Sequence, residues 1–143
     1  MRNSLFLALF ALAVLQSPAS AAATKVVVFK SPACGCCHMW VGYMRKGGFD
    51  VRVRDLEDVT PVKEYHGVPE DFWSCHTAII GRYVVEGHVP IEATRRMLSE
   101  RPGVKGIALP GMLVGSPGMP GEKTEKFVIY GFSGSKRSVF MEF

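Results

Sequence analysis

The stretch from Thr24 to Gly48 sets the tightest limit on the fold. It opens with TKVVVFKS (Thr24 to Ser31), a β-branched run that reads as a buried strand. SPACGCC turns the chain, and CCHMWVGYMRKGG then carries a helical period that stops at Gly47-Gly48. Cys36, Trp40, Tyr43 and Met44 stand at i, i+4, i+7 and i+8 and predict the apolar face of that helix. A strand that delivers cysteines to the start of a helix is compatible with few architectures.

The next fifty residues narrow them further. FDVRVRDLED (Phe49 to Asp58) alternates like a half-exposed strand, and TPVKEYHGVP predicts a helix that starts at Thr60-Pro61 and stops at Gly67. Apolar runs at Thr77 to Ile80 and Tyr83 to Val85 flank Gly81-Arg82 and predict a tight hairpin. IEATRRMLSER (Ile91 to Arg101) has Ile91, Thr94, Arg95 and Leu98 at helical spacing, closed by Pro102-Gly103. The order βαβ, helix, β-hairpin, helix is an α/β arrangement of the thioredoxin/glutaredoxin kind. The tail departs from it. ALPGMLVGSPGMPGEK is a Gly/Pro/Met-rich loop in which Met112 and Met119 each follow Pro-Gly, and KFVIYGF with SVFMEF predicts an extra terminal hairpin.

Residues 1–21 read as a secretory signal peptide. Met1-Arg2-Asn3 is a short positive start, SLFLALFALAVL (Ser4 to Leu15) an apolar run, and Ala19-Ser20-Ala21 an A-x-A cleavage site. The run is shorter than the roughly 20 residues a spanning helix needs. The expected organisation is a signal peptide over 1–21 and one thioredoxin-like domain over 22–143, exported and with no membrane span after signal removal. Loss of Arg2 takes the formal charge from +4 to +3, with both signs interspersed, so nucleic acid is not an expected partner.

Export puts four cysteines in an oxidising compartment, where disulfides are the default. Yet any bridge among Cys34, Cys36 and Cys37 closes almost no loop, and a disulfide stabilises chiefly by closing long ones. The cluster therefore reads as a reactive or metal-binding site. Cys34, Cys37 and His38 fit the C-x-x-C-H of covalent haem attachment. Against haem, a buried strand leads straight into the motif, Cys36 would be a spare thiol, and the pocket would consume most of the core. A dithiol oxidoreductase fits better, with Cys34 as thiolate near the helix start and Cys37 resolving, but Cys36 invites scrambling. Metal binding explains the third sulfur directly. Thiolates and thioethers suit Cu(I), and Cys75, just before the Thr77 strand, adds a fourth sulfur from across the fold. Zinc also accepts four thiolates. The sulfur-rich periphery of Met39, Met112 and Met119, with His38, His76 and His88 as imidazole candidates, favours copper. Met39 and Met44 also suit core filling, His66 suits a helix end, and Trp40 and Trp73 suit core or rim packing.

SPACGCCHMW, GVPEDFWSCHTAIIGRYVVEGHVP and LPGMLVGSPGM together resemble the CopG-type periplasmic copper proteins of bacterial copper-resistance systems, which are unrelated to the DNA-binding repressors of that name. The resemblance spans Val26 to Phe140. It implies a thioredoxin-like fold whose cysteine cluster, Cys34, Cys36, Cys37 and Cys75 here, binds several thiolate-bridged Cu(I) ions, with Met and His neighbours. It further implies a role in copper tolerance, with Cu(I)/Cu(II) conversion and other periplasmic copper-handling proteins as partners. The residues leave two alternatives open. One is a thiol–disulfide oxidoreductase or copper-site assembly reductase on Cys34 and Cys37; the other is a zinc-stabilised interaction module, for which the methionine loop would be superfluous.

Overall fold

The computed structural model describes residues 22–143; the expected leader lies outside the described residues. In chain order the elements are β1 (Lys25–Lys30), α1 (Gly35–Lys46), β2 (Asp50–Asp55), α2 (Thr60–Tyr65), a 3-10 turn at Glu70–Phe72, β3 (His76–Ile80), β4 (Tyr83–Glu86), α3 (Ile91–Glu100), β5 (Gly106–Ala108), β6 (Val128–Ser133) and β7 (Lys136–Glu142). The seven strands form one mixed sheet in the order β2-β1-β3-β4-β5-β6-β7. β1 and β2 run parallel across the α1 crossover, and β3 lies antiparallel on the other side of β1. The expected βαβ, helix, hairpin, helix order is present, and so is the terminal hairpin β6–β7. Gly81, at φ +60, makes the β3–β4 turn.

Two local expectations need correction, and one strand goes unread. The buried face of α1 is Cys37, Trp40, Val41 and Met44, one residue round from the face led by Cys36 and Tyr43. Period alone does not fix the roll of a helix, whereas the sheet beneath it does. In α3 the buried residues are Ile91, Ala93, Thr94 and Met97, so Arg95 points to solvent and Leu98 only skirts the core. β5 has no counterpart in the sequence pattern, because three fully buried residues carry no alternation to read. Its Gly106 is needed for close approach: a Cβ there would sit 2.7 Å from the Phe132 ring.

The larger core lies between the sheet and helices α1 and α3, around Trp40, Met44, Met97, Ile107 and Ile129. Burying each such side chain contributes about 1.5–3 kcal/mol. Trp40 also donates its indole N–H to the Val89 carbonyl at 3.0 Å, which pins α1 to the segment between β4 and α3. A smaller core of Val68, Phe72, Val84, Ala108 and Phe132 covers the opposite face, with Trp73 at its rim. No helix among the described residues is long and apolar enough to cross a membrane.

Candidate metal centre

Cys34 is the N-cap of α1, and its Sγ accepts the Cys37 backbone N–H at 3.3 Å. Register explains how Cys75 reaches it. Lys30 of β1 pairs with His76 of β3, so the residue before His76 is level with the end of β1, where the chain turns into the cysteine motif. Cys34 and Cys37 are joined as a disulfide with Cα atoms 5.3 Å apart, and Cys36 and Cys75 are free. The Cys36 Sγ is 3.5 Å from that of Cys34 and 4.0 Å from that of Cys75. All four sulfurs lie within 4.8 Å of one another.

A second group shares Cys75. Its sulfur, one nitrogen of His76 and one of His88 also fall within 4.8 Å of each other. His88 Nδ1 is 2.7 Å from the Pro117 carbonyl, which can only accept, so Nδ1 carries the proton. The bare Nε2 then faces the Cys75 sulfur at 3.0 Å. His76 Nδ1 lies 3.4 Å from the same sulfur, and its buried Nε2 has no hydrogen-bond partner. Its ring packs on Trp40 at 4.5 Å and on His88 at 5.0 Å. Burial, then the neighbouring His88 and Lys63, hold His76 well below the usual histidine range. Burial lowers His88 as well, against the pull of the Pro117 carbonyl. Both rings are therefore neutral near pH 7, the form that binds metals. Burial, and next the Cys36 sulfur, push the Cys75 thiol up to about 12. In the absence of a cation this sulfur stays protonated.

The tail loop closes the site from the side. Gly118, at φ +86, lies so close to the first turn of α1 that a Cβ would sit 2.7 Å from the Trp40 nitrogen and 2.8 Å from the Cys36 carbonyl. This brings Met119 beside Cys36 and Met39 around a shallow hollow. Met39 is 62% exposed, as a rim residue is, and Met112, 55% exposed, stands on the surface of the loop. His38 is exposed on α1, outside both groups, next to a hollow shared with Met39, Tyr43 and Lys46. His66 sits at the C-cap of α2, as expected of a helix end.

One set of residues escapes a reading of the sequence. Behind the site, the fully buried Glu86 takes Lys63 Nζ at 2.5 Å, the Thr77 hydroxyl at 2.7 Å and the Ser74 backbone N–H at 2.7 Å. A glutamate ending the apolar run YVVE is a signal, but spacing does not reveal its partner on α2.

Four sulfurs and two neutral imidazoles at a helix start define a thiol-rich centre suited to soft metals or to redox chemistry. Comparison with known proteins gives the class a family. A family model described as "Protein of unknown function, DUF411" matches residues 72–119. Two solved structures titled "Copper resistance protein copG", Form 2 and Form 1, align at 37% identity with TM-scores of 0.79 and 0.78. Each alignment covers 85% of this chain and 98% of the other. No curated protein sequence matches. The chain belongs to the CopG family of copper resistance proteins.

Proposed function

We propose that this is a periplasmic copper-resistance protein that takes Cu(I) as cargo in a thiolate cluster on a thioredoxin-like fold. The observation that carries this is the convergence of Cys34, Cys36, Cys37 and Cys75 within 4.8 Å from two distant parts of the chain. The residues fit the ion. Thiolate and thioether donors select Cu(I), and Met39 and Met119 flank Cys36 where harder ions would gain nothing from them. With all four thiols free, sulfurs this close bridge ions, so we assign the cluster more than one Cu(I). His88 and His76 supply neutral nitrogens on the Cys75 side. The signal-peptide pattern of residues 1–21 supports export, with residues 22–143 as the metal-binding domain and other copper-handling proteins of that compartment as partners.

Copper conversion follows from the same sulfurs. Closing Cys34 and Cys37 into a disulfide releases two electrons and two protons, enough to reduce two Cu(II) ions to Cu(I). Loading the closed form in turn requires a dithiol reductant to reopen it. A competition titration under reducing conditions tests the reading: Cu(I) should hold the site, and zinc displacing it at equal free concentration would overturn the assignment.

The closed Cys34–Cys37 bond at the start of α1 favours a second reading, a thiol–disulfide oxidoreductase or copper-site assembly reductase. That chemistry needs only Cys34 to attack and Cys37 to resolve. It gives no task to Cys75 or to the methionine rim.

A further inference from the structure

We propose that Glu86, held by Lys63, is the positioning residue of the metal centre: its carboxylate fixes the Ser74–Cys75 segment and thereby the place of the Cys75 sulfur. The inference deepens the copper reading and rests on it for the role of Cys75.

The geometry runs through one carboxyl group. Thr77 and Glu86 are cross-strand partners on β3 and β4, with side chains on the face that α2 covers. Glu86 Oε2 accepts the Thr77 hydroxyl at 2.7 Å, and Oε1 accepts Lys63 Nζ. Lys63 also donates to the Thr77 hydroxyl at 3.0 Å. What remains of Oε1 accepts the backbone N–H of Ser74, at 2.7 Å. Ser74 precedes β3 and has no ladder bond to hold it, so this contact sets the approach of the chain to Cys75. Ser74 Oγ in turn donates to the Gly111 carbonyl at 3.0 Å, and the Glu86 carbonyl accepts the Leu109 N–H at 3.1 Å. The cysteine segment and the start of the methionine loop are thus tied to the same residue.

Stability alone does not account for a charge pair here. Glu86 is fully buried and Lys63 nearly so, and an apolar pair of similar volume in such a place is commonly as stable or more stable. What an apolar pair cannot do is accept the Ser74 N–H. Fixing a donor atom to a fraction of an ångström is the demand a metal site makes on its surroundings.

Two double variants isolate that contact. Lys63→Met/Glu86→Gln removes both charges but keeps an amide oxygen for Ser74. Lys63→Met/Glu86→Leu removes the acceptor of the Ser74 N–H as well; Thr77→Val in both proteins keeps the Thr77 hydroxyl, the other partner of the carboxylate, out of the comparison. The first readout needs no copper: the ratio of Cys75 to Cys36 alkylation in the oxidised, metal-free protein, mapped by peptide mass. This ratio should rise roughly tenfold in the Leu variant, the factor one hydrogen bond of ordinary net worth commands, and stay near wild type in the Gln variant. General loosening would raise Cys36 together with Cys75 and leave the ratio unmoved. The second readout is Cu(I) affinity of the reduced proteins, which should fall in the Leu variant and hold in the Gln variant. A wild-type ratio in the folded Leu variant overturns the proposal, and so does a raised ratio in the Gln variant. If the Leu variant does not fold, the Ser74 amide decides by hydrogen exchange: slow in wild type and in the Gln variant as proposed, fast in either against it. Failure of wild-type protein to bind Cu(I) would sink the copper reading while leaving the alkylation and exchange results to judge the positioning role.

Discussion

The Cys75 sulfur lies 3.0 Å from Nε2 of His88, across the β3–β4 hairpin, and the Pro117 carbonyl holds the far side of the same ring. The tail loop thus acts on the site through a tautomer. By accepting the Nδ1–H hydrogen bond, the Pro117 carbonyl keeps the proton on Nδ1 and leaves Nε2 bare toward the sulfur, as outer partners of ligating histidines commonly do. His88→Gln, which can reach neither atom with the same geometry, should weaken copper binding by about 10–100-fold. Titration with a competing chelator measures it, and an unchanged affinity would remove His88 from the site.

Metal-free stability should fall on acidification. His76 and His88 are held below the ordinary histidine value mainly by burial. The unfolded chain therefore binds protons that the native chain refuses, and stability rises with pH wherever that difference exists. Their contribution is intact above the unfolded histidine value of about 6.5 and is lost as pH drops below it. His76, fully buried, should give a limiting slope of about 1.4 kcal/mol per pH unit, with His88 adding a smaller share. Urea unfolding of metal-free protein at stepped pH between about 7 and 5 reads the slope directly. Glu86, whose carboxyl is raised by burial, acts in the opposite sense. The profile is therefore read in the Lys63→Met/Glu86→Gln protein, where a flat line would mean that the two rings titrate normally.

Gly118→Ala should undock the tail. The residue has φ +86, and its added Cβ would press on the Trp40 nitrogen and the Cys36 carbonyl, neither of which can move without moving α1. Strain of this kind costs about 1–3 kcal/mol. The expected result is faster proteolysis within residues 110–123 and weaker copper binding, while far-UV circular dichroism stays close to wild type. Equal protease resistance in the two proteins would show that the loop accommodates the methyl group.

Despite Cys34, Cys37 and His38, native material should show no Soret band and no mass beyond that of the polypeptide. The two cysteines are bonded to each other, His38 points to solvent, and the space under α1 is filled by Trp40 and Met44. A covalent haem adduct in protein from its native compartment would revive the C-x-x-C-H reading.

Much of this fold is legible in the sequence because it rests on local rules. β1, α1, α2, the β3–β4 hairpin and α3 announce themselves through period and through Gly or Pro at their ends. Cys75 joins the cluster on paper because a strand start facing a helix start is a matter of topology. The unread parts depend on distance in the sequence. The roll of α1 is set by the sheet beneath it, which is why Cys37 and not Cys36 is buried. β5 exists because β4 and β6 flank it. The Lys63–Glu86 pair joins a helix to a strand with no spacing rule between them, and the split between Met119 at the site and Met112 at the surface depends on how the loop folds back at Gly118.

Cys75 separates the two readings of function. In a C-x-x-C exchange reaction Cys34 attacks and Cys37 resolves, so Cys75 has no chemical task. In a copper cluster it supplies the one sulfur that comes from the start of β3, 4.0 Å from Cys36 and within reach of both histidines. Cys75→Ser replaces a soft thiolate by a poor hydroxyl ligand at nearly constant volume. The side chain is only half-buried, so the metal-free fold should lose less than about 1 kcal/mol. Copper bound per protein at matched free Cu(I) should nevertheless fall sharply. Met119→Leu keeps the bulk and removes a thioether next to Cys36, so its effect should be smaller, and Met112→Leu, on the loop surface, should do least of all. The ordering Cys75, then Met119, then Met112 is the quantity to measure, with circular dichroism to certify the fold. If a folded Cys75→Ser protein kept full copper binding and an active Cys34–Cys37 disulfide, the oxidoreductase reading would replace the copper cluster.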